Sequence, residues 1–170
     1  MEDMLAWVGA ARFLDVVVPG YIERDCAPPE FRPWGDTVTF AADEGYLRLD
    51  SVDSHGRLRM RVVSELAVPE PIREEEMEFA VASQGDQFLF DASSAYKCDR
   101  VRYVTDAESD PAGGMVRCAE FTFNRRHTVF ADPEWHFGIL LGRAGAYEHW
   151  WNHHHAEDSH RFTEHTWRRP

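Results

Sequence analysis

Residues 44–63, EGYLRLDSVDSHGRLRMRVV, read as a β-hairpin whose register can be worked out residue by residue. With Asp53-Ser54-His55-Gly56 as the turn, Val52 faces Arg57, Ser51 faces Leu58, Asp50 faces Arg59, Leu49 faces Met60, Arg48 faces Arg61 and Leu47 faces Val62. Leu47, Leu49, Leu58, Met60 and Val62 then share one face. Arg48, Asp50, Arg57, Arg59 and Arg61 share the other, the period-2 pattern of a half-buried antiparallel ribbon. A slip of one residue would carry arginines into the core, so the register is strongly specified. Asp50 opposite Arg59 is a favourable cross-strand pair, whereas Arg48 opposite Arg61 needs acids or water nearby.

On the N-terminal side, Leu5, Val8, Arg12, Phe13, Val16 and Val17 recur at helical spacing, which predicts an amphipathic helix over residues 1–18, stopped by Pro19-Gly20. Residues 21–36, with Pro28, Pro29, Pro33 and Gly35, read as a loop held down by Tyr21, Phe31 and Trp34. Thr37 to Ala41 alternates and predicts a short strand beside the hairpin. On the C-terminal side a second hairpin is expected from Met77, Phe79 and Val81 through Gln84-Gly85-Asp86 to Phe88 and Phe90. Further strands follow at Lys97 to Thr105, Met115 to Asn124, Thr128 to Ala131 and Trp135 to Leu141. In the second of these Ala119, Phe121 and Phe123 face one way and Glu120 the other.

About eight strands at this spacing predict a β-rich α+β fold of one domain. The N-terminal helix would pack on a curved antiparallel sheet or small β-barrel over residues 37–141. Residues 142–170 hold six of the nine histidines and three of the six tryptophans. A helix beginning within Ala144 to Trp151 is expected there, then an irregular tail docking through Trp150, Trp151, Phe162 and Trp167.

The 170 residues carry a formal net charge of −12, and residues 1–99 account for most of it, with 20 acidic against 9 basic side chains. An acidic body repels phosphate backbones, so nucleic acid and anionic membrane are disfavoured as partners while a basic protein is allowed. The apolar stretch Leu5 to Val18 is broken by Arg12 and Asp15 and is too short to span a bilayer. Cys26, Cys98 and Cys118 are an odd count without metal-like spacing, which suits three thiols in a reducing cytoplasm. Arginine supplies every basic residue but Lys97, a bias associated with GC-rich bacterial genomes.

Three chemistries have residues to show. A barrel interior with polar-tipped strand residues, Tyr46, Tyr103, Glu120 and His136, would suit a small apolar ligand, or a cofactor-independent cyclase or isomerase with one acid and one tyrosine. In a helix over Tyr147 to Glu157, His149, His153 and Glu157 fall at i, i+4 spacing, and with His160 they would suit zinc or nickel. No other cofactor is predicted, and position 150 is Trp where the metalloprotease helix carries Glu. Glu74, Glu75, Glu76 and Glu78, beside Pro69 and Pro71, form an acidic ridge suited to a basic protein partner. No nucleophile elbow, dinucleotide loop or phosphate-binding loop is present.

The charge asymmetry ranks a non-enzymatic acidic binding protein first, inhibitor-like, immunity-like or an accessory subunit. A small-molecule barrel stands second and a metal role for the histidines third. A filled interior with an exposed ridge favours the first, and a lined cavity with convergent Tyr, His or Glu the second. A carboxylate within ligand reach of His149 and His153 favours the third.

Overall fold

The computed structural model describes residues 1–52, 56–89, 95–157 and 161–170. It is β-rich α+β, and its strands form two antiparallel sheets. Helix α1 (Glu2–Ala10) is half the predicted length: Ala11 turns extended (φ −63°, ψ 153°), and Phe13–Glu23 forms strand β1 instead. Phe13, Val16 and Val17 fit a helical face and a bulged strand equally well. The β-branched run Val16-Val17-Val18 and its pairing partners decide for the strand.

Strand β1 organises the first sheet. It pairs through Gly20–Glu23 with β2 (Glu30–Pro33), through Phe13–Val17 with β3 (Thr37–Ala42), and through Val17–Tyr21 with a later strand. Residues 21–36 are therefore partly strand rather than loop. Strand β3 then pairs with β4 (Tyr46–Val52), and β4 with β5 (Arg57–Val63).

The β4–β5 register is the one worked out from the sequence, from Leu47 opposite Val62 to Val52 opposite Arg57. Of its turn, Asp53 to His55 lie outside the described residues. Leu47, Leu49, Leu58 and Met60 are buried, but Val62 at the ribbon's end is 39% exposed. Asp50 departs from expectation: it bridges Arg48 and Arg61, each at 2.7 Å, rather than Arg59. One carboxylate thereby neutralises the like-charged pair that the register forces together.

Short α2 (Glu70–Glu74) leads to β6 (Phe79–Ser83), which pairs with β1. The second predicted hairpin does not form. Short α3 (Gly85–Phe88) follows the strand, and Phe90 lies outside the described residues.

The chain next enters the second sheet with β7 (Cys98–Thr105) and touches the first again through β8 (Met115–Val116), paired with β5. Directly after Arg117 it continues in the second sheet as β9 (Cys118–Phe123), then β10 (His127–Trp135) and β11 (Gly138–Gly142). Both strands predicted around Asp132-Pro133 are present, but β10 runs on through Pro133 to Trp135, with a register irregularity against β11 between Asp132 and Trp135, and the turn falls at His136-Phe137. Helix α4 (Ala146–Glu157) and strand β12 (Thr163–Arg168) complete the chain. The predicted irregular tail is thus a strand, antiparallel to β7 from Thr163 opposite Thr105 to Arg168 opposite Arg100.

The first sheet runs β2-β1-β3-β4-β5-β8 with β6 alongside β1, and the second runs β11-β10-β9-β7-β12. Twelve strands among the described residues thus replace the expected eight. The sheets face each other across one apolar cluster, with Val16, Phe40, Leu49 and Met60 from the first and Val101, Phe121, Phe123 and Val129 from the second. Leu5 and Val8 of α1 join it. The second sheet is covered on its other face too, where Val104, Cys118 and Phe130 pack against Tyr147 and Trp150 of α4 and Phe162. At one margin the sheets touch by backbone: Ile139 N–H donates to Gly35 O at 2.8 Å. A Cβ on Gly35 would fall 1.9 Å from Phe137 O, so this approach requires glycine.

Candidate functional site

The space between the sheets is filled with aromatic rings. Phe13, Phe40, Phe121 and Phe123 stack edge-on or tilted with centroids 5.0–6.2 Å apart. The four polar-tipped candidates do not converge around this space. Half-buried Tyr46 opens β4, between Ala41 and Val63. Tyr103 on β7 stacks on His165 of β12 with centroids 4.9 Å apart. His136 is exposed in the turn between β10 and β11, its ring against Phe137.

Glu120 is fully buried on the opposite face of the second sheet, beneath α4. Strand alternation puts it there because Ala119 and Phe121 face the core. Its Oε1 accepts from Arg102 Nε at 2.8 Å and from Arg100 Nη2 at 3.1 Å. Arg102 also donates to Glu148 of α4 at 2.5 Å and lies 3.9 Å over the Tyr147 ring, whose hydroxyl donates to Glu164 at 2.5 Å. Burial pushes the Glu120 carboxyl above its ordinary range although the arginines pull it down. The hydrogen bond from Arg102 holds Glu148 below that range. No buried side-chain polar atom of this network lacks a hydrogen-bond partner, as suits a structural lock between sheet and helix.

His149 and His153 are exposed on α4 and line a cleft of about 210 Å³ with Asp132, Trp150 and His154. His154 pairs with Glu134 at 3.1 Å, and Glu134 also pairs with buried Arg117. Among the described residues no group of three His, Cys, Asp or Glu is close enough to hold a metal ion. The Glu157 side chain and His160 lie outside the described residues.

Glu74, Glu75, Glu76 and Glu78 are all exposed. Glu78 pairs with Arg24 at 2.5 Å, while no side-chain partner engages Glu74, Glu75 or Glu76 among the described residues. Pro69, Pro71 and fully buried Ile72 anchor the segment. Glu76 has φ 52°, a left-handed conformation usually given to Gly or Asn, at a cost of about 1 kcal/mol.

No protein-family model, curated protein or solved structure matches this chain significantly. The site must be read from its own chemistry.

Cys98 and Cys118 do not meet as neighbours: Cys98 faces the inter-sheet core and Cys118 faces α4. Burial raises both thiols, Cys98 to about 12, so neither is a ready nucleophile. No helix among the described residues is long and apolar enough to cross a membrane.

Two features escaped the sequence reading. Arg117, at the crossing between the sheets, is buried against Asp106 and Glu134. An apolar cleft of about 680 Å³ opens at the margin of the sheets, lined among others by Val18, Val38, Phe88, Ile139 and Leu140, with Gln84 and Gln87 at its rim. Its walls come from four separate stretches of chain, so no local motif could announce it. Phe137 is 67% exposed there.

Proposed function

We propose that this chain is a non-enzymatic binding protein whose partner is another protein with a basic surface. The observation that carries the reading is the ridge of Glu74, Glu75 and Glu76, exposed and free of internal partners, beside an interior packed with aromatic rings. Charges already paired within a protein have little left to offer a partner. Unpaired ones projecting from an anchored turn steer encounter and fix orientation. The left-handed Glu76 supports the same reading, since a charge is kept where glycine would be cheaper. Strand β6, which leaves the ridge at once, sits at a sheet edge and exposes Val81 by 45%, an apolar contact beside the charge.

The test is partner capture followed by stopped-flow association. Changing Glu74, Glu75 and Glu76 to Lys should slow association at least about tenfold at low salt, with the difference shrinking as salt rises. Because the three side chains are exposed, thermal stability should be unchanged. An on-rate insensitive to the triple change would remove the ridge from the interface.

A second reading, binding of a small apolar ligand, is favoured by the 680 Å³ cleft alone. Its polar side chains are glutamines, which suit orientation of a ligand rather than the acid–base work of a cyclase or isomerase. Anilinonaphthalene sulfonate should brighten on the native protein, and Phe137→Asp with Leu140→Asp, both at exposed rim positions, should abolish the effect. Equal brightening with both proteins would place the dye elsewhere.

A further inference from the structure

The outer face of the second sheet is divided. Helix α4 covers the end that holds Val104, Cys118 and Glu120, and leaves the other end open. At the open end β12 sets Arg168 directly opposite Arg100 of β7. The turn between β9 and β10 brings in Arg125, its backbone N–H held by Asp99 at 2.7 Å. Arg169 donates to the same carboxylate at 2.8 Å. With Thr122 and Pro170 these residues line a cleft of about 520 Å³.

The charges there do not balance. Asp99 is committed to Arg169, and Glu120 is shared by Arg100 and Arg102. Exposed Arg125 and Arg168 have no carboxylate partner among the described residues. The contrast with Arg48 and Arg61 is instructive. That like-charged cross-strand pair is bridged by Asp50, whereas among the described residues no carboxylate bridges Arg100 and Arg168. A cationic pocket of this kind on a protein of net charge −12 runs against the general field and is best completed by an anion from outside.

We propose that this cleft binds a small ligand carrying two or more phosphoryl groups. Planar guanidinium groups present paired N–H donors that match phosphoryl oxygens. Arg100 and Arg169, oriented by Glu120 and Asp99, form a preset floor with the Thr122 hydroxyl. Arg125 and Arg168 are the free arms. The volume exceeds that of one phosphate, and the surplus of cations calls for a multiply charged ligand. The site is independent of the acidic ridge, and its failure would leave the protein-partner reading untouched.

The experiment is titration calorimetry with inorganic pyrophosphate in a buffer free of other polyvalent anions. The expected result is saturable one-to-one binding, weakened about tenfold or more in the Arg125→Ala, Arg168→Ala double variant, with its melting temperature unchanged. A double variant of exposed arginines elsewhere, Arg12→Ala with Arg59→Ala, should keep the wild-type affinity. No saturable binding would overturn the proposal, as would equal loss in the two double variants. Tighter binding of citrate than of pyrophosphate would overturn the phosphoryl assignment.

Discussion

Replacing Leu49 by aspartate unfolds the protein, whereas Arg59→Asp leaves it folded. Leu49 lies on β4 between Val38 of β3 and Met60 of β5, with no exposed surface, and its side chain enters the cluster shared by both sheets. Aspartate there forfeits about 2 to 3 kcal/mol of apolar burial. It also strands a carboxylate among Phe, Val and Met side chains, at a further cost of several kcal/mol. The sum rivals the whole stability of a typical fold, about 5 to 15 kcal/mol. Arg59, one residue from Met60 on the same strand, points to solvent and has no ion-pair partner among the described residues. Its replacement should stay within about 0.5 kcal/mol. Circular dichroism melts compare the two directly, and similar melting temperatures would refute the assignment of faces.

Glu120→Ala is the second large effect, expected to cost on the order of 3 kcal/mol. The change deletes the buried acceptor shared by Arg100 and Arg102, leaving two half-buried guanidinium groups short of a counter-charge and a void beneath α4. Glu148→Ala removes the other carboxylate on Arg102. That side chain is 53% exposed, so water replaces it and the loss should stay within about 1 kcal/mol. Glu120→Gln, which keeps the volume and an acceptor, should fall between the two. Urea unfolding of the three variants tests the ordering. Equal losses for Glu120→Ala and Glu148→Ala would mean that burial does not govern the network.

The sequence by itself determined the faces and register of β4 and β5, and the alternation along β9 that sets Glu120 opposite to Ala119, Phe121 and Phe123. Each follows from the period of two that a strand imposes on its own side chains. It also showed that no common catalytic motif is present and that the first part of the chain carries the acid. Tertiary structure decided the rest. Phe13, Val16 and Val17 satisfy two periods at once, and pairing with β3 and β6 selects strand over helix. Helix α4 covers the end of the second sheet's outer face that holds Glu120, which makes Glu120 a lock rather than a free acid. The meeting of Arg100, Arg125, Arg168 and Arg169 depends on β12 returning across more than half a hundred residues to pair with β7. Contacts so distant along the chain are fixed by which surfaces must be buried together, and no local pattern encodes them.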